Sequence, residues 1–528
     1  MYRKRDKQIC FDDFDQIDGV ALNPENRWLK KAKLIPWDDV EKEYSNRFPS
    51  KEGQVAKSAR LALGALLIQK EYDFSDVETA AMIQENPYFQ YFCGMKGFKQ
   101  ERPFDPSMMV HFRKRFTPEA LAAINEKTIG LASQIKPGEA VLTEKTDTSK
   151  EPDSNDEGLA SNGAVSSNVV TAPPEQQSEA PSESPDPPAP SASEDASVKP
   201  EEPSELKGTL IVDATCAPSD IKYPTDTDLL NKARLDTERM ISSMHDPASG
   251  HRPRTYARKA KKEFTDFSKK RSKNGKEIRR MIFKQLNYLK RNLGFIDKML
   301  ETGCNLPEKL QHRLEVVRKI YEQQKYMYDN KTRTVSDRIV SLSQPWLRPI
   351  VRGKANASVE FGAKIDVSVV DGFTRLEKTS FSAYNESGEL IPEIERYRER
   401  TGYYPERVLA DKIYRNRANL KYCNARGIRL SGPSLGRPPK DYVPDKKRDY
   451  EDMCDRNEVE RVFSLAKRSC GLGMIYCRLQ ETAMCSIGLS ILLLNLNKVL
   501  FCFFIFAKLY VIKQMTRHMI RFSRNAEG

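Results

Sequence analysis

The stretch from about Pro137 to Ser204 limits the fold first, because it is built from Pro, Ser, Glu, Asp and Ala with almost no aromatic or large aliphatic residue. Such a segment cannot bury enough apolar surface to offset its ordering entropy, so it is expected to be a disordered linker. A passive tether is its plain role; its acidity also lets it compete for a basic surface. It divides a chain of 528 residues, a length that calls for two or three domains. From Lys136 to Glu205 there are about 16 Asp and Glu against about 4 Lys, so a formal net charge of +13 for the whole leaves about +25 on the remainder. Ordered parts this basic favour a polyanionic partner.

The ten Cys are scattered from Cys10 to Cys502 with no zinc-type spacing, which reads as free thiols. The N-terminus, MYRKRDKQICFDDFDQ, lacks the apolar core of a secretory signal, and a cytoplasmic, nucleoid-associated protein is expected. Residues 484–512 are apolar enough to resemble a membrane span, but Asn495, Asn497, Lys498 and Lys508 interrupt them. A buried C-terminal helix of the core is the expectation, and a membrane span the alternative.

Residues 12–136 read as an all-helical N-terminal unit. AKSARLALGALLIQK has helical spacing, Ser75 with Glu78 forms a capping box, and Thr117-Pro118-Glu119 supplies an N-cap followed by Pro. Arg113, Lys114 and Arg115 stand together in DPSMMVHFRKRF, either as a DNA-binding face or as a solvated basic face.

After the linker, GTLIVDAT in 205–227 is a short apolar strand ending near Asp213. Residues 228–340 then read as a basic helical insertion, with Arg258, Lys261 and Lys262 among many cations and Tyr256, Phe264 and Phe267 between them. That pattern suits phosphate contacts, with a solvated helical hairpin as the alternative. From 341 to 528, strand alternation at Ile365, Val367 and Val369 leads through an Asp371-Gly372 turn into a hairpin. A helix, a strand ending at Asp411, another helix and strand, and a helix from Asp455 to Ser469 follow. Strand, insertion, hairpin, helix, strand, helix, strand, helix is the order of an α/β, RNase H-like core.

Asp213 and Asp411 each follow an apolar strand, and Glu460 lies on a helix beside the apolar stripe Val459, Val462, Phe463 and Ala466. Carboxylates from neighbouring strand ends and a packed helix can meet at one point. Phosphoryl transfer on DNA uses such a cluster to hold two Mg²⁺ or Mn²⁺ ions. At about 100° per residue Arg456, Glu460 and Lys467 share one helix face, whereas Glu458 points elsewhere and is the alternative third ligand.

The chain resembles the DDE transposases of bacterial insertion sequences, in the IS-five/IS-eleven-eighty-two-like group. The resemblance rests on ALGALLIQKEYDFSDVETAAMIQENPYFQYFCG, PFDPSMMVHFRKRF, IVDATCAPSDIKYPTDTDLLNKAR, GKANASVEFGAKIDVSVVDGF, VLADKIYRNRANLKYC, IRLSGPSLGRPPK and RNEVERVFSLAKR. The last family motif is a Tyr, two residues, an Arg, three residues, the catalytic Glu, six residues and a Lys. Arg456, Glu460 and Lys467 match it, while Met453 stands at the Tyr position, near Tyr450. The resemblance implies binding of terminal inverted repeats in double-stranded DNA, metal-dependent cleavage at the transposon end, joining of the 3′-OH to target DNA, and a homo-oligomer assembled on DNA. An inactive DNA-binding descendant and a nuclease that cuts without joining are the alternatives.

Overall fold

The computed structural model describes residues 22–48, 55–134, 205–246, 250–354, 357–433, 435–436 and 445–502; of 132–134, 351–354 and 357–358 it describes the backbone only. The acidic stretch, most of the Pro-rich segment 434–444 and the apolar run beyond Cys502 lie outside the described residues.

Seven helices come first: α1 (Arg27–Leu34), α2 (Trp37–Ser45), α3 (Ala59–Tyr72), α4 (Asp76–Glu85), α5 (Pro87–Phe92), α6 (Met108–Arg115) and α7 (Pro118–Gln134). Short polar caps start them: the Ser58 side chain accepts from the Leu61 amide, the Ser75/Glu78 capping box opens α4, and Asn86 precedes Pro87 at α5. From Leu61 to Ile68 every residue of α3 is buried, as expected of a helix apolar on all sides.

The sheet is built around β1 (Thr209–Pro218). Antiparallel to it runs β3 (Ala357–Val370), with Ile211 opposite Val369 and Pro218 opposite Gly362. A side chain at Gly362 would stand 2.1 Å from the Ala217 carbonyl, so only glycine fits that approach. The two halves of β3 pair with β2 (Pro349–Lys354) and β4 (Phe373–Ser380). Asp371 and Gly372, with φ of 52° and 75°, make the tight turn between β3 and β4. On the other side of β1, β5 (Arg407–Leu409) and β6 (Arg429–Leu430) continue the sheet in parallel.

Two apolar layers cover the sheet. On one face Ile211, Ile365, Val367, Val369 and Leu409 share a core with α1–α7, with α14 (Lys446–Ser469) and with α15 (Gln480–Cys502). On the other, α12 (Leu390–Thr401) and α13 (Arg417–Ala425) pack on Leu210, Val212, Val408 and Leu430. The N-terminal helices thus do not form a core of their own; the expectation of a separate unit over 12–136 is corrected by their apolar faces being buried against the sheet and α15.

Helix α15 is long and apolar enough to cross a membrane, and it is mostly buried inside the fold. Its polar interruption is a key rather than a defect. Asn495 donates to the Thr374 carbonyl (2.7 Å) and to Asn125 Oδ1 (2.8 Å), and accepts from the Thr374 amide (3.0 Å). One buried amide therefore joins α15, β4 and α7 with its hydrogen bonds satisfied.

The insertion has its own core. Helices α8 (Asp226–Met244), α10 (Gly275–Glu301) and α11 (Glu308–Asp329) bury Leu230, Ile241, Leu289, Ile296, Val317 and Ile320 together. Fully buried Arg234 is satisfied by Gln285 (3.2 Å), Asn231 (2.8 Å) and Glu238. Helix α9 (Ala257–Lys269) lies on α10, held by Lys284 and Tyr288 on Glu263.

Helix α14 begins nine residues before the Asp455 start expected from its apolar stripe. No apolar periodicity marks the first part because ion pairs hold it. Asp452, nearly buried, receives Arg407 (3.1 Å) from β5 and Arg429 (2.8 Å) from β6, and Asp455 receives Arg407 (2.6 Å). Burial alone would raise the Asp452 carboxyl, but hydrogen bonds and charge from Arg429 and Arg407 hold it below the usual range. Such a depressed carboxyl contributes stability above its unfolded pKa, near 3.9, and loses it as pH falls through the folded value. Asp452→Asn should therefore cost about 1–3 kcal/mol at neutral pH, discounting for the half-exposed arginines. The gap from wild type in denaturant titrations should shrink as pH drops below about 4.

The triplet Arg113–Lys114–Arg115 does not form one face. Arg113 is buried and bonded to Asp76 and to Gln69 (2.7 Å). Arg115 is half-buried over the Phe48 ring at 4.5 Å, and Lys114 is exposed. The expectation that the three cations share one surface is corrected for buried Arg113, because one helical turn points adjacent residues in different directions. Arg113→Ala should cost about 2–4 kcal/mol in urea unfolding by stranding Asp76 and Gln69, while Lys114→Ala should stay within about 0.5 kcal/mol of wild type.

Candidate active site

In β1 successive side chains alternate between the two layers, so Ile211, Asp213, Thr215 and Ala217 face the α14 side, where Ile211 and Ala217 join the large core. Ile211 is the register partner of Leu409 in β5. Asp213 and Asp411 each follow two residues further along the chain, and the Asp411 charge reaches Asp213. Asp411 then caps a short turn, its Oδ1 accepting from the Lys412 amide at 2.7 Å.

Helix α14 crosses that face with Val459, Val462, Phe463 and Ala466 turned inward. The crowd of acids near its start separates by contact. Asp452 and Asp455 are paired to the strands, and Glu458 lies 3.3 Å from Arg461. Glu460 is the acid of this helix whose charge reaches Asp213. Burial pushes the Asp213 carboxyl up to about 6; the Glu460 and Asp411 charges push the same way, against the Ala214 amide at 2.8 Å and the Arg456 guanidinium. Lys467 comes down one helical face from Glu460 and donates to Thr215 Oγ1 at 2.9 Å, two residues beyond Asp213 on β1.

Asp213, Asp411, Glu460, Arg456 and Lys467 are thus brought together. Their three carboxylates form a hard oxygen donor set, and burial, with smaller contributions from the Glu460 and Asp411 charges, makes the ionised form of Asp213 costly in a way that a divalent cation would relieve. The set fits such an ion in charge and chemistry; among the described residues no three acids, His or Cys are yet drawn close enough to ligate one ion directly. Met453, half-exposed, and Tyr450, more so, lie earlier on α14.

Sequence reasoning passed over two other carboxyls. Asp366, opposite Ala214, and Glu393 of α12 are fully buried on the opposite layer of the sheet. Burial pushes Asp366 up to about 7, and Glu393 is also raised. Strand parity separates them from Asp213 and excludes them from its cluster. The remaining sequence-predicted cations, Arg258, Lys261 and Lys262, are exposed on α9, within the insertion and apart in sequence from these elements.

A family model described as "Transposase DDE domain" matches residues 408–497, and one described as "Transposase domain (DUF772)" matches residues 19–115. A Rhizobium meliloti protein named "Uncharacterized protein ORF8 in nfe locus" is 32% identical over 120 residues, covering 23% of this chain and 57% of that protein. The chain therefore matches little more than half of that relative's length. No solved structure matches. The first match contains Asp411, Glu460 and Lys467, while Asp213 lies outside both. Two transposase models thus match separate stretches of one compact unit, the DDE match running from the Asp411 strand through the Glu460 helix, and these similarities support a DDE insertion-sequence transposase.

Proposed function

We propose that this transposase binds the terminal inverted repeats of its element, cleaves there by metal-dependent hydrolysis, and joins the freed 3′-OH to target DNA, with an RNase H-like core as its catalytic part. The observation that supports this reading is the β1–β5 register: Ile211 pairs with Leu409, Asp213 and Asp411 each follow two residues on, and the Glu460 charge of α14 acts on Asp213. In this reading Asp213, Asp411 and Glu460 hold two Mg²⁺ or Mn²⁺ ions. Such ions would supply Lewis acidity to the attacking and leaving oxygens.

The protein's own groups do the rest. Burial beside two other acids leaves Asp213 reluctant to carry charge alone, which suits it to a cationic ligand. Lys467, tethered by Thr215, and Arg456 present cations where phosphate charge enters, fixing the strand without reading its bases. With Met453 at the family's Tyr position, the contact of that Tyr is either missing or made by a neighbour such as the exposed Tyr450. The exposed Arg258, Lys261 and Lys262 grip phosphates of the same DNA, and the protein assembles on it as a homo-oligomer.

Supercoiled target plasmid, a labelled element end and Mg²⁺ separate the outcomes: strand transfer supports the proposal, nicking alone makes the protein a nuclease, and binding without either makes it an inactive descendant. Asp213→Ala, Asp411→Ala and Glu460→Ala should each abolish cleavage and joining while DNA binding stays nearly intact, and Glu458→Ala should remain active. A dead Glu458→Ala with an active Glu460→Ala would reassign the third ligand. Replacing Arg258, Lys261 and Lys262 together should weaken binding to end and random DNA by similar factors and reduce the salt slope by roughly two to three units.

A further inference from the structure

We propose that a groove between α6, α8, α11 and the loop entering α15, lined by none of the three carboxylates, is a second contact surface for the sugar-phosphate backbone of duplex DNA. The proposal rests on the transposase reading and adds a place to it. The groove encloses about 790 Å³. Lys114 from α6, Arg239 from α8, Lys309 from the first turn of α11 and Arg478 from the loop line it together, and all four are exposed. Sequence separation hides this convergence, which only the packed fold creates.

Charge complementarity identifies the occupant. Lys114, Lys309 and Arg478 have no ion-pair partner among the described residues; of the two acids lining the groove, Asp236 is taken by Arg313 at 2.7 Å and Arg239 at 3.3 Å, and Glu481 is exposed, so the cations outnumber the acids. The rim therefore keeps several uncompensated cations around an apolar floor that includes half-buried Trp346, itself fixed edge-on against Phe381 at 4.3 Å. An adjoining depression, lined by Lys222 and Lys232 with Asp220 and Asp228, shares Leu342, Ser343 and Arg478; Lys222 pairs with Asp228 at 3.1 Å, so the uncompensated charge lies on Lys114, Lys309 and Arg478, set apart on three elements of the groove. A track of this kind suits a polyanion whose charges repeat along its length. Apolar surface between the cations suits sugar faces rather than a hydrated ion.

The test uses the full chain and a fluorescent duplex of random sequence, with anisotropy titrations over a range of salt. Replacing Lys114, Arg239, Lys309 and Arg478 with Gln should lower affinity at least about tenfold at moderate salt and flatten the dependence of log affinity on log salt by about three units. The exposed pair Lys309→Gln/Arg478→Gln, chosen to leave the fold alone, should flatten it by about two units. Unchanged affinity and slope in both variants would overturn the groove while wild-type binding still upheld the transposase reading. Absence of DNA binding by the wild type would overturn both.

Discussion

The hydrogen-bonded register of β1 with its two neighbours is the constraint on which the structure depends. Antiparallel pairing to β3 fixes one side over eight residue pairs, and parallel pairing to β5 fixes the other. A slip of one residue in either would turn Asp213 into the α12–α13 layer and bring apolar Val212 or Ala214 to the site. Close approach at Gly362, where no side chain fits, helps to forbid that slip.

Around this register the protein uses buried polar contacts as keys. Asn495 ties α15 to β4 and α7, Arg234 organises the insertion's core, and Asp452 binds α14 to β5 and β6. Each lies where apolar packing alone would tolerate sliding along a helix axis. Apolar burial supplies the driving force, and these satisfied groups select one alignment.

Much of this was legible in the sequence because the signals were local. Alternation at Ile365, Val367 and Val369, the Asp371-Gly372 turn, the Ser75/Glu78 box and the stripe at Val459 through Ala466 each declare an element within a few residues. The candidate carboxylates could be singled out for the same reason, since each follows or flanks such an element. What stayed hidden depends on partners far along the chain. Arg113 looks like a DNA contact until Asp76 and Gln69 close on it, the start of α14 is set by Arg407 and Arg429, and the N-terminal helices share a core whose other half lies hundreds of residues later. A charged side chain carries no periodic mark of whether it will meet water or a counter-charge.

The central claim is that Asp213, Asp411 and Glu460 act as one cation-binding group. Titrating the full chain with Mn²⁺ and following the free ion by electron paramagnetic resonance tests it most directly. Wild type should take up Mn²⁺ at a site that Asp213→Asn, Asp411→Asn and Glu460→Gln each weaken by at least about tenfold, while Glu458→Gln leaves it unchanged. Equal Mn²⁺ uptake by wild type and the three carboxamide variants would contradict the account.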